Sequence, residues 1–325
     1  MRKRTVILLL LLTVCFAGIF TCLRVWGPDW PDQETQEQEP NGRQTQDWGL
    51  RQEKEPEQQL ICSEETYGYS GLNTPLQFYR LGNPESKKKI LCVFAMHGFE
   101  DAFYRDGQAL VDTAYKVIAH LREDPASLDH VEVMVVPCAN PDGLAEGWTC
   151  NGPGRCQISQ GIDINMDFDY NFRVRTNTRN KTDNQPFTSP EAAALRDLIL
   201  QEKPDMIIDF HGWVNSASGD QEIAKIFCKY LNLAYEDKEK TFYDGFFVGW
   251  AGRYARSVLV EYPDPLTGQG VCAGKSDREY DYAHSGFNQF GYAEKTAAAI
   301  REIAAEQTAG LEDKPMASHE TRKTR

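Results

Sequence analysis

The chain has 325 residues and is 41% hydrophobic, which is enough for one large globular domain with appendages. Its formal net charge of −13 disfavours a nucleic-acid partner, because proteins that bind phosphates present basic surfaces.

The N-terminal part of the chain lies outside the predicted domain. Residues 1–26 start with basic side chains and contain an apolar run from Thr5 to about Leu23, which indicates either a cleaved signal peptide or an uncleaved membrane anchor. The basic start favours an inside N-terminus, so we expect the rest of the chain outside the cytoplasm, membrane-anchored or secreted. Residues 27–60 are rich in Gln, Glu, Asp and Pro, which predicts a disordered acidic linker. Residues 309–325 are polar and are predicted to be a disordered tail.

Strand and helix patterns alternate along the predicted domain, residues 61–308. Predicted strands are short apolar runs, at residues 75–81, 89–96, 131–138, 205–209 and 257–261. Helices are predicted at residues 108–121, which have helical apolar spacing, at 189–200, which start with Ser-Pro-Glu, and at 221–231 and 286–305. Residues 140–143, Asn-Pro-Asp-Gly, are predicted to form a turn. The alternation predicts an α/β fold with a central mixed, twisted β-sheet, helices on both faces, and ligands at the carboxyl ends of the strands.

A candidate metal motif follows one of these predicted strands. His97 and Glu100 lie just after the apolar run of residues 89–96. Imidazole nitrogen and carboxylate oxygen suit Zn²⁺, and a catalytic zinc takes three protein ligands and leaves one position for water. His211 is the best candidate for the third ligand, because it ends a predicted strand and precedes a glycine, as His97 does. The sequence therefore predicts one zinc ion per domain.

Two acidic residues also end apolar strands. Burying Glu261 at the end of its strand is costly unless it has a partner or a role. It is therefore either a surface carboxylate paired with Lys or Arg, or a general base beside the metal. Asp209, two residues before His211, could orient a metal ligand, although a structural carboxylate is the simpler interpretation.

Six motifs occur in one order along the domain: HGFE (97–100), NPDG (140–143), GPGRCQISQGIDIN (152–165), PFTSPEA (186–192), DFHG (209–212) and VLVEYP (258–263). As an ordered set they resemble the zinc carboxypeptidase family, the carboxypeptidase A-like metallopeptidases. The resemblance is greater to the compact bacterial members, which lack a folded propeptide domain. It implies the fold of that family and a zinc-dependent metallopeptidase activity.

The resemblance also implies roles for individual residues. His97, Glu100 and His211 would bind zinc. Glu261 would be the general acid/base, since it would take a proton from water and pass it to the leaving amine. Arg155 would polarise the scissile carbonyl and stabilise the oxyanion.

Substrate contacts follow from the same resemblance, with one departure. Asn165 would contact the terminal carboxylate of the substrate. Tyr243 is the candidate for the tyrosine that closes over the substrate, with Tyr254 as the alternative. Met166 follows Asn165 where the family commonly has an Arg that binds the same carboxylate, and Met has no hydrogen-bond donor.

Three interpretations of Met166 stay open. Arg173 or Arg175 could bind the carboxylate instead, the carboxylate could be held differently, or the chain could have lost exopeptidase specificity or activity. Asp167 and Asp169 would suit a cationic substrate group, such as the side-chain amine of diaminopimelate or lysine. A solvated loop is the simpler interpretation of these two carboxylates.

The cysteine pattern is compatible with export. Cys92 and Cys138 fall in apolar strands and are predicted to be buried thiols. Cys150 and Cys156 flank the short loop that contains Arg155, and an exported location would permit a disulfide between them.

Two classes of function remain from the sequence. The first is a membrane-tethered zinc metallopeptidase that hydrolyses a C-terminal or near-terminal amide bond. Its leading substrate is the peptidoglycan (murein) stem peptide, cut as a carboxypeptidase or as an amidase of diaminopimelate-containing peptides. General removal of C-terminal residues from proteins is the alternative. The second class is a non-catalytic, zinc-binding recognition domain on the same scaffold, which only Met166 favours.

Overall fold

A mixed β-sheet organises the part of the chain that the computed structural model describes, residues 61–100, 106–146, 158–237, 244–263 and 291–309. Its eight strands are β1 (Ile61–Tyr69), β2 (Pro75–Gly82), β3 (Lys89–Phe94), β4 (Glu132–Val136), β5 (Met206–Gly212), β6 (Ser216–Gly219), β7 (Ala234–Glu236) and β8 (Arg256–Tyr262). They are ordered β1-β2-β4-β3-β5-β8-β6-β7 across the sheet. The central strands β4, β3, β5 and β8 run parallel, so their carboxyl ends meet at one edge.

Helices pack on both faces of this sheet. They are α1 (Gly107–Glu123), α2 (Pro141–Glu146), α3 (Pro190–Glu202), α4 (Gln221–Leu231), α5 (Phe247–Ala251) and α6 (Tyr292–Ala309). Side chains of α1, α4 and α6 join the apolar cluster on one face, and those of α3 and α5 join the cluster on the other. The predicted α/β class is therefore confirmed.

Strand β3 illustrates why a continuous apolar run was needed. Ile90, Cys92 and Phe94 pack into the cluster that contains α1, whereas Leu91 and Val93 pack into the cluster that contains α3. Successive side chains of a strand point to opposite faces, so a strand covered on both sides is apolar throughout.

Most predicted elements agree with the structure to within a few residues, and two kinds of difference are informative. Residues 140–143 were predicted to be a turn, which was wrong: they begin α2, with Pro141 as its first residue. The carboxamide oxygen of Asn140 accepts the backbone N–H of Gly143 at 2.9 Å, so the same residues serve as a helix start. Strands β1, β6 and β7 and helix α5 were missed, because they are short or carry many polar residues.

The expectations for the two ends of the chain fall outside the described residues, as does the start of the last predicted helix. Within the described ranges, no helix has the length and apolar character that crossing a membrane requires.

Candidate active site

Three side chains from two strand ends converge at the carboxyl edge of the sheet. His97 and Glu100 follow β3, and His211 lies near the end of β5. The Nδ1 atoms of His97 and His211 lie 3.1 and 2.8 Å from the two carboxylate oxygens of Glu100. One potential ligand atom from each residue lies within 4.8 Å of the others, and all three residues are buried. One ion could therefore bind all three.

Each histidine turns its other ring nitrogen toward a buried carboxylate. Nε2 of His97 lies 2.9 Å from Oδ1 of Asp163, and Nε2 of His211 lies 3.0 Å from Oδ2 of Asp209. Such contacts orient an imidazole and leave the opposite nitrogen for a metal. Asp209 thus contacts a ligand histidine, the interpretation that the sequence had ranked second. Asp163 was missed, although it lies in the GIDIN motif two residues before Asn165.

Close backbone packing holds the turn that carries His97 and Glu100. A Cβ atom on Gly98 would lie 2.2 Å from the backbone of Gly143, at the start of α2. A Cβ atom on Gly107, at the start of α1, would lie 2.1 Å from the carbonyl oxygen of Gly98. Only glycine permits this approach, so two helix starts fix the turn.

Glu261 occupies the neighbouring strand end. It pairs in register with His211 across β5 and β8. Its Oε2 atom is buried and has no hydrogen-bond partner among the described residues. Among the described residues, no Lys or Arg therefore pairs with this oxygen, as the alternative of a surface ion pair would require. An orphaned buried carboxylate oxygen beside a His–Glu–His cluster matches the base expected next to a metal.

The charges of the cluster act on one another. Burial raises the pKa of Glu261 to about 7, against the opposing effect of His211. Burial also disfavours ionised Glu100, but the charges of His97 and His211 outweigh it and hold the pKa of that carboxyl well below its usual range. For His211, Asp209 and Glu100 outweigh the effect of burial and raise its pKa. Four carboxyl groups, those of Glu100, Asp163, Asp209 and Glu261, therefore surround two imidazoles and leave a site that favours a cation.

Asn165 is held close to the cluster. Its side-chain oxygen accepts the backbone N–H of Phe247 at 3.2 Å, and its Nδ2 lies 3.4 Å from Nε2 of His211. Met166 is buried and packs with Phe246, Val248 and Leu259. The side chain that replaces the expected Arg thus fills an apolar cluster.

The two candidate arginines differ in their surroundings. The side chain of Arg173 is 73% exposed, and its Nε lies 2.6 Å from a carboxylate oxygen of Asp244. Arg175 is half-buried, and its Nε is shielded from solvent without a hydrogen-bond partner in the described part of the chain. Its NH2 group makes a long contact of 3.4 Å with the carbonyl oxygen of Asp244.

Asp167 and Asp169, which were expected to lie in a solvated loop, differ in their burial. Asp167 was expected to be solvated, which is wrong. It is buried, and its Oδ2 accepts the backbone N–H and the hydroxyl of Ser189 at 2.7 and 2.8 Å. Asp169 is exposed and lies 3.7 Å from Arg253, as expected of a surface carboxylate.

The structure describes only some of the remaining candidate residues. Arg155, Tyr243 and the Cys150–Cys156 pair lie outside the described residues. Tyr254 is exposed and packs on Trp250, before β8 begins. Because a strand rises about 3.3 Å per residue, Tyr254 lies roughly 15 Å or more from Glu261, so it is a poor alternative to Tyr243.

One of the two thiols that were predicted to be buried differs from expectation. Cys92 is fully buried as predicted, whereas Cys138 is only half-buried.

Comparisons with known proteins agree with this geometry. Residues 50–221 match the family profile described as zinc carboxypeptidase, more than half of the chain. A curated relative, bacteriocin BCN5 of Clostridium perfringens, is 34% identical over 207 residues. That match covers 61% of this chain but only 22% of the relative.

Solved structures of carboxypeptidases share the fold. Carboxypeptidase A from Helicoverpa armigera superposes with a TM-score of 0.59 at 15% identity, covering 78% of this chain and 70% of that one. A metallo-carboxypeptidase from Burkholderia cenocepacia gives a TM-score of 0.51 at 18% identity, covering 76% of this chain and 65% of that one.

The metal follows from the family and from the donor set. Zinc carboxypeptidases use zinc, and His97, Glu100 and His211 provide the nitrogen and oxygen ligands of a candidate site. The order of motifs, the sheet and the profile match agree, and the chain belongs to the zinc carboxypeptidase family of metallopeptidases.

Proposed function

We propose that this protein hydrolyses a C-terminal or near-terminal amide bond of a peptide, with zinc held by His97, Glu100 and His211. The single observation that carries the proposal is the buried Oε2 of Glu261 beside this cluster, which has no hydrogen-bond partner within the part of the chain that the structure describes. Bound there, zinc would supply Lewis acidity toward a carbonyl and acidify water.

Glu261 is the proposed general acid/base. Its Oε2 would accept a proton from the attacking water and pass it to the leaving nitrogen, so the products are a free acid and a free amine. A proton acceptor works best when its pKa lies near the working pH, and burial moves the pKa of Glu261 in that direction, to about 7.

Arg155 is proposed to donate charge-assisted hydrogen bonds to the oxyanion, and Tyr243 to close over the substrate. Both roles rest on the family resemblance. Asn165 is proposed to contact the substrate, and its proximity to His211 supports a place at the edge of the site.

Arg175 is the better candidate of the two arginines for the substrate carboxylate. Met166 cannot fill this role, because it has no donor and packs in an apolar cluster. Asp244, which Arg175 contacts, precedes Gly245, and a Cβ atom on Gly245 would lie 2.1 Å from the carbonyl oxygen of Met166. The guanidinium of Arg175 thus contacts a segment that packs against the backbone of Met166, the residue that stands where the family has its Arg. Arg173 is less suitable because it is exposed and ion-paired.

We propose the stem peptide of peptidoglycan as the substrate class. One sequence relative is a bacteriocin from a bacterium, and the N-terminal residues predict export to the side of the membrane where the cell wall lies. The proposed location is therefore extracytoplasmic, either anchored or secreted. Protease treatment of intact cells tests it: degradation of the domain supports the location, and protection of the domain contradicts it.

The experiment that tests the function is a digest of purified muropeptides, read by mass spectrometry. We expect loss of a residue or cleavage of an amide in the stem peptide with the zinc-loaded protein, and cleavage at least about 100-fold slower with Glu261→Gln. Cleavage of unrelated peptides alone would favour a general carboxypeptidase. No cleavage of either would favour a zinc-binding recognition domain, for which Met166 is the supporting observation.

A further inference from the structure

We propose that Asp106 is a positioning residue that ties the two metal-ligand segments together. The proposal rests on the zinc site described above and adds a residue that no sequence motif identified. Asp106 is not one of the three candidate metal ligands. It acts through Glu100 on one side and Trp213 on the other.

The two oxygens of the Asp106 carboxylate bind different segments. Oδ1 accepts the backbone N–H of Glu100 at 2.6 Å, and Oδ2 accepts the indole Nε1–H of Trp213 at 2.9 Å. Glu100 follows β3, whereas Trp213 follows β5 two residues after His211. Asp106 is fully buried, so water does not compete for these bonds.

The position of Asp106 makes this use of its side chain unusual. Asp106 is the N-cap of α1, a helix of 17 residues, yet its carboxylate makes no capping hydrogen bond to that helix. An N-cap Asp ordinarily accepts a backbone N–H of the first turn. Here both bonds go to the metal-ligand segments, while the positive end of the helix still favours the buried negative charge.

The backbone around Asp106 is fixed as well. The next residue is Gly107, whose close approach to Gly98 seats the start of α1 on the turn that carries His97 and Glu100. Asp106 therefore joins a rigid helix start to both strand ends. Its loss would leave Glu100 and His211 on segments that no longer share this brace, so zinc would have to order them on binding.

The test compares the zinc dissociation constants of full-length variants, measured by competition with a chelator. Asp106→Asn replaces one carboxylate oxygen by an NH₂ group. The remaining oxygen can accept only one of the two N–H donors, from Glu100 or Trp213, and the NH₂ group, itself a donor, faces the other. We expect zinc to bind about 10–100-fold more weakly, the usual effect of removing a partner of a metal ligand. Asp112→Asn, which removes a carboxylate further along α1, is the matched control and should keep the parent affinity.

Trp213→Phe provides a second variant that keeps the Asp106 charge and its bond to Glu100. We expect several-fold weaker zinc binding from it. The double variant Asp106→Asn with Trp213→Phe lacks the indole N–H that would face the new amide NH₂ group. Its zinc dissociation constant should therefore equal that of Trp213→Phe alone. Such non-additivity identifies direct coupling between the two side chains.

The melting temperature of each metal-free variant separates positioning from general stability. Parent-like zinc affinity in both Asp106→Asn and Trp213→Phe would overturn the proposal, whatever happens to the melting temperature. A parent protein that binds no zinc would instead overturn the proposed function, so the two failures are distinguishable.

Discussion

His211 and Glu261 occupy paired positions on two adjacent parallel strands, β5 and β8. Both lie at the carboxyl edge of the sheet, and the charge of His211 acts on the pKa of Glu261. This register brings a candidate metal ligand and a candidate base together without any help from a loop. Strands are more rigid than loops, so the pairing can hold catalytic groups with the accuracy that the chemistry needs.

Removing one metal ligand should abolish zinc binding. We expect one zinc ion per chain in the parent protein and almost none in His211→Ala, because two remaining ligands cannot complete a zinc site. Elemental analysis of purified protein measures this. His120→Ala, which removes a histidine that contacts Glu123 on the surface, should keep one zinc ion. Full occupancy in His211→Ala would refute the assignment.

Replacing Glu261 by Gln should separate catalysis from metal binding. We expect folded, zinc-loaded protein whose kcat is at least about 100-fold lower, the lower end of the effect of a general acid/base. Steady-state kinetics and zinc content provide the two measurements. Turnover close to that of the parent, in a variant with full zinc, would exclude Glu261 as the base.

The two arginines should differ in their effect on substrate binding. Loss of a charged hydrogen bond of about 1.5–3 kcal/mol in Arg175→Ala should raise KM for a peptide with a free C-terminus roughly 10–150-fold. The amidated peptide should be affected less. Arg173→Ala is the matched control and should change KM little, since its side chain is exposed and paired with Asp244.

The carboxylate proposal has a clear contrary outcome. If Arg175→Ala leaves KM unchanged and the parent cuts free and amidated peptides equally well, the protein has no group that binds the terminal carboxylate of the substrate. An amidase or endopeptidase specificity would then replace the carboxypeptidase specificity, while the zinc site would stand.

Glu191 should make the free energy of unfolding depend on pH. Its Oε1 accepts the backbone N–H of Gly71 at 2.9 Å, its Oε2 is buried, and burial raises its pKa from 4.5 to about 7. The folded state therefore holds this proton at pH values where the unfolded chain releases it. The raised pKa of Glu191 therefore lowers the free energy of unfolding. This destabilisation is absent below about pH 4.5, grows as the pH rises toward 7, and is complete above 7.

Glu191→Gln removes this destabilisation and keeps an oxygen for Gly71. We expect the variant to be more stable than the parent at pH 8, by an amount on the order of 3 kcal/mol, and nearly equal to it at pH 4.5. Denaturant unfolding at the two pH values measures the difference. Glu123→Gln alters an exposed carboxylate and should show no such pH-dependent gain. A variant that is less stable than the parent at pH 8 would contradict the prediction.

The sequence alone determined the fold class and the candidate residues of the site. His97, Glu100, His211 and Glu261 could be selected as candidates because each stands at or just beyond the end of an apolar run, and the carboxyl ends of parallel strands meet at one edge. Helix α4 was predicted with its observed ends, Gln221–Leu231, and the structure shows that its N-cap bond, which Asp220 accepts from Ile223, lies within the same segment. Such signals are local, so they survive without knowledge of the fold.

Only the tertiary structure decided the roles that depend on distant partners. Asp106 binds Trp213, which is 107 positions away, and Asp163 binds His97 from 66 positions away. Met166 became a core residue and Asp167 a buried anchor for Ser189 through contacts that no local pattern records. A buried polar group must find a partner wherever the fold supplies one, and for these residues that partner is known only once the chain has folded.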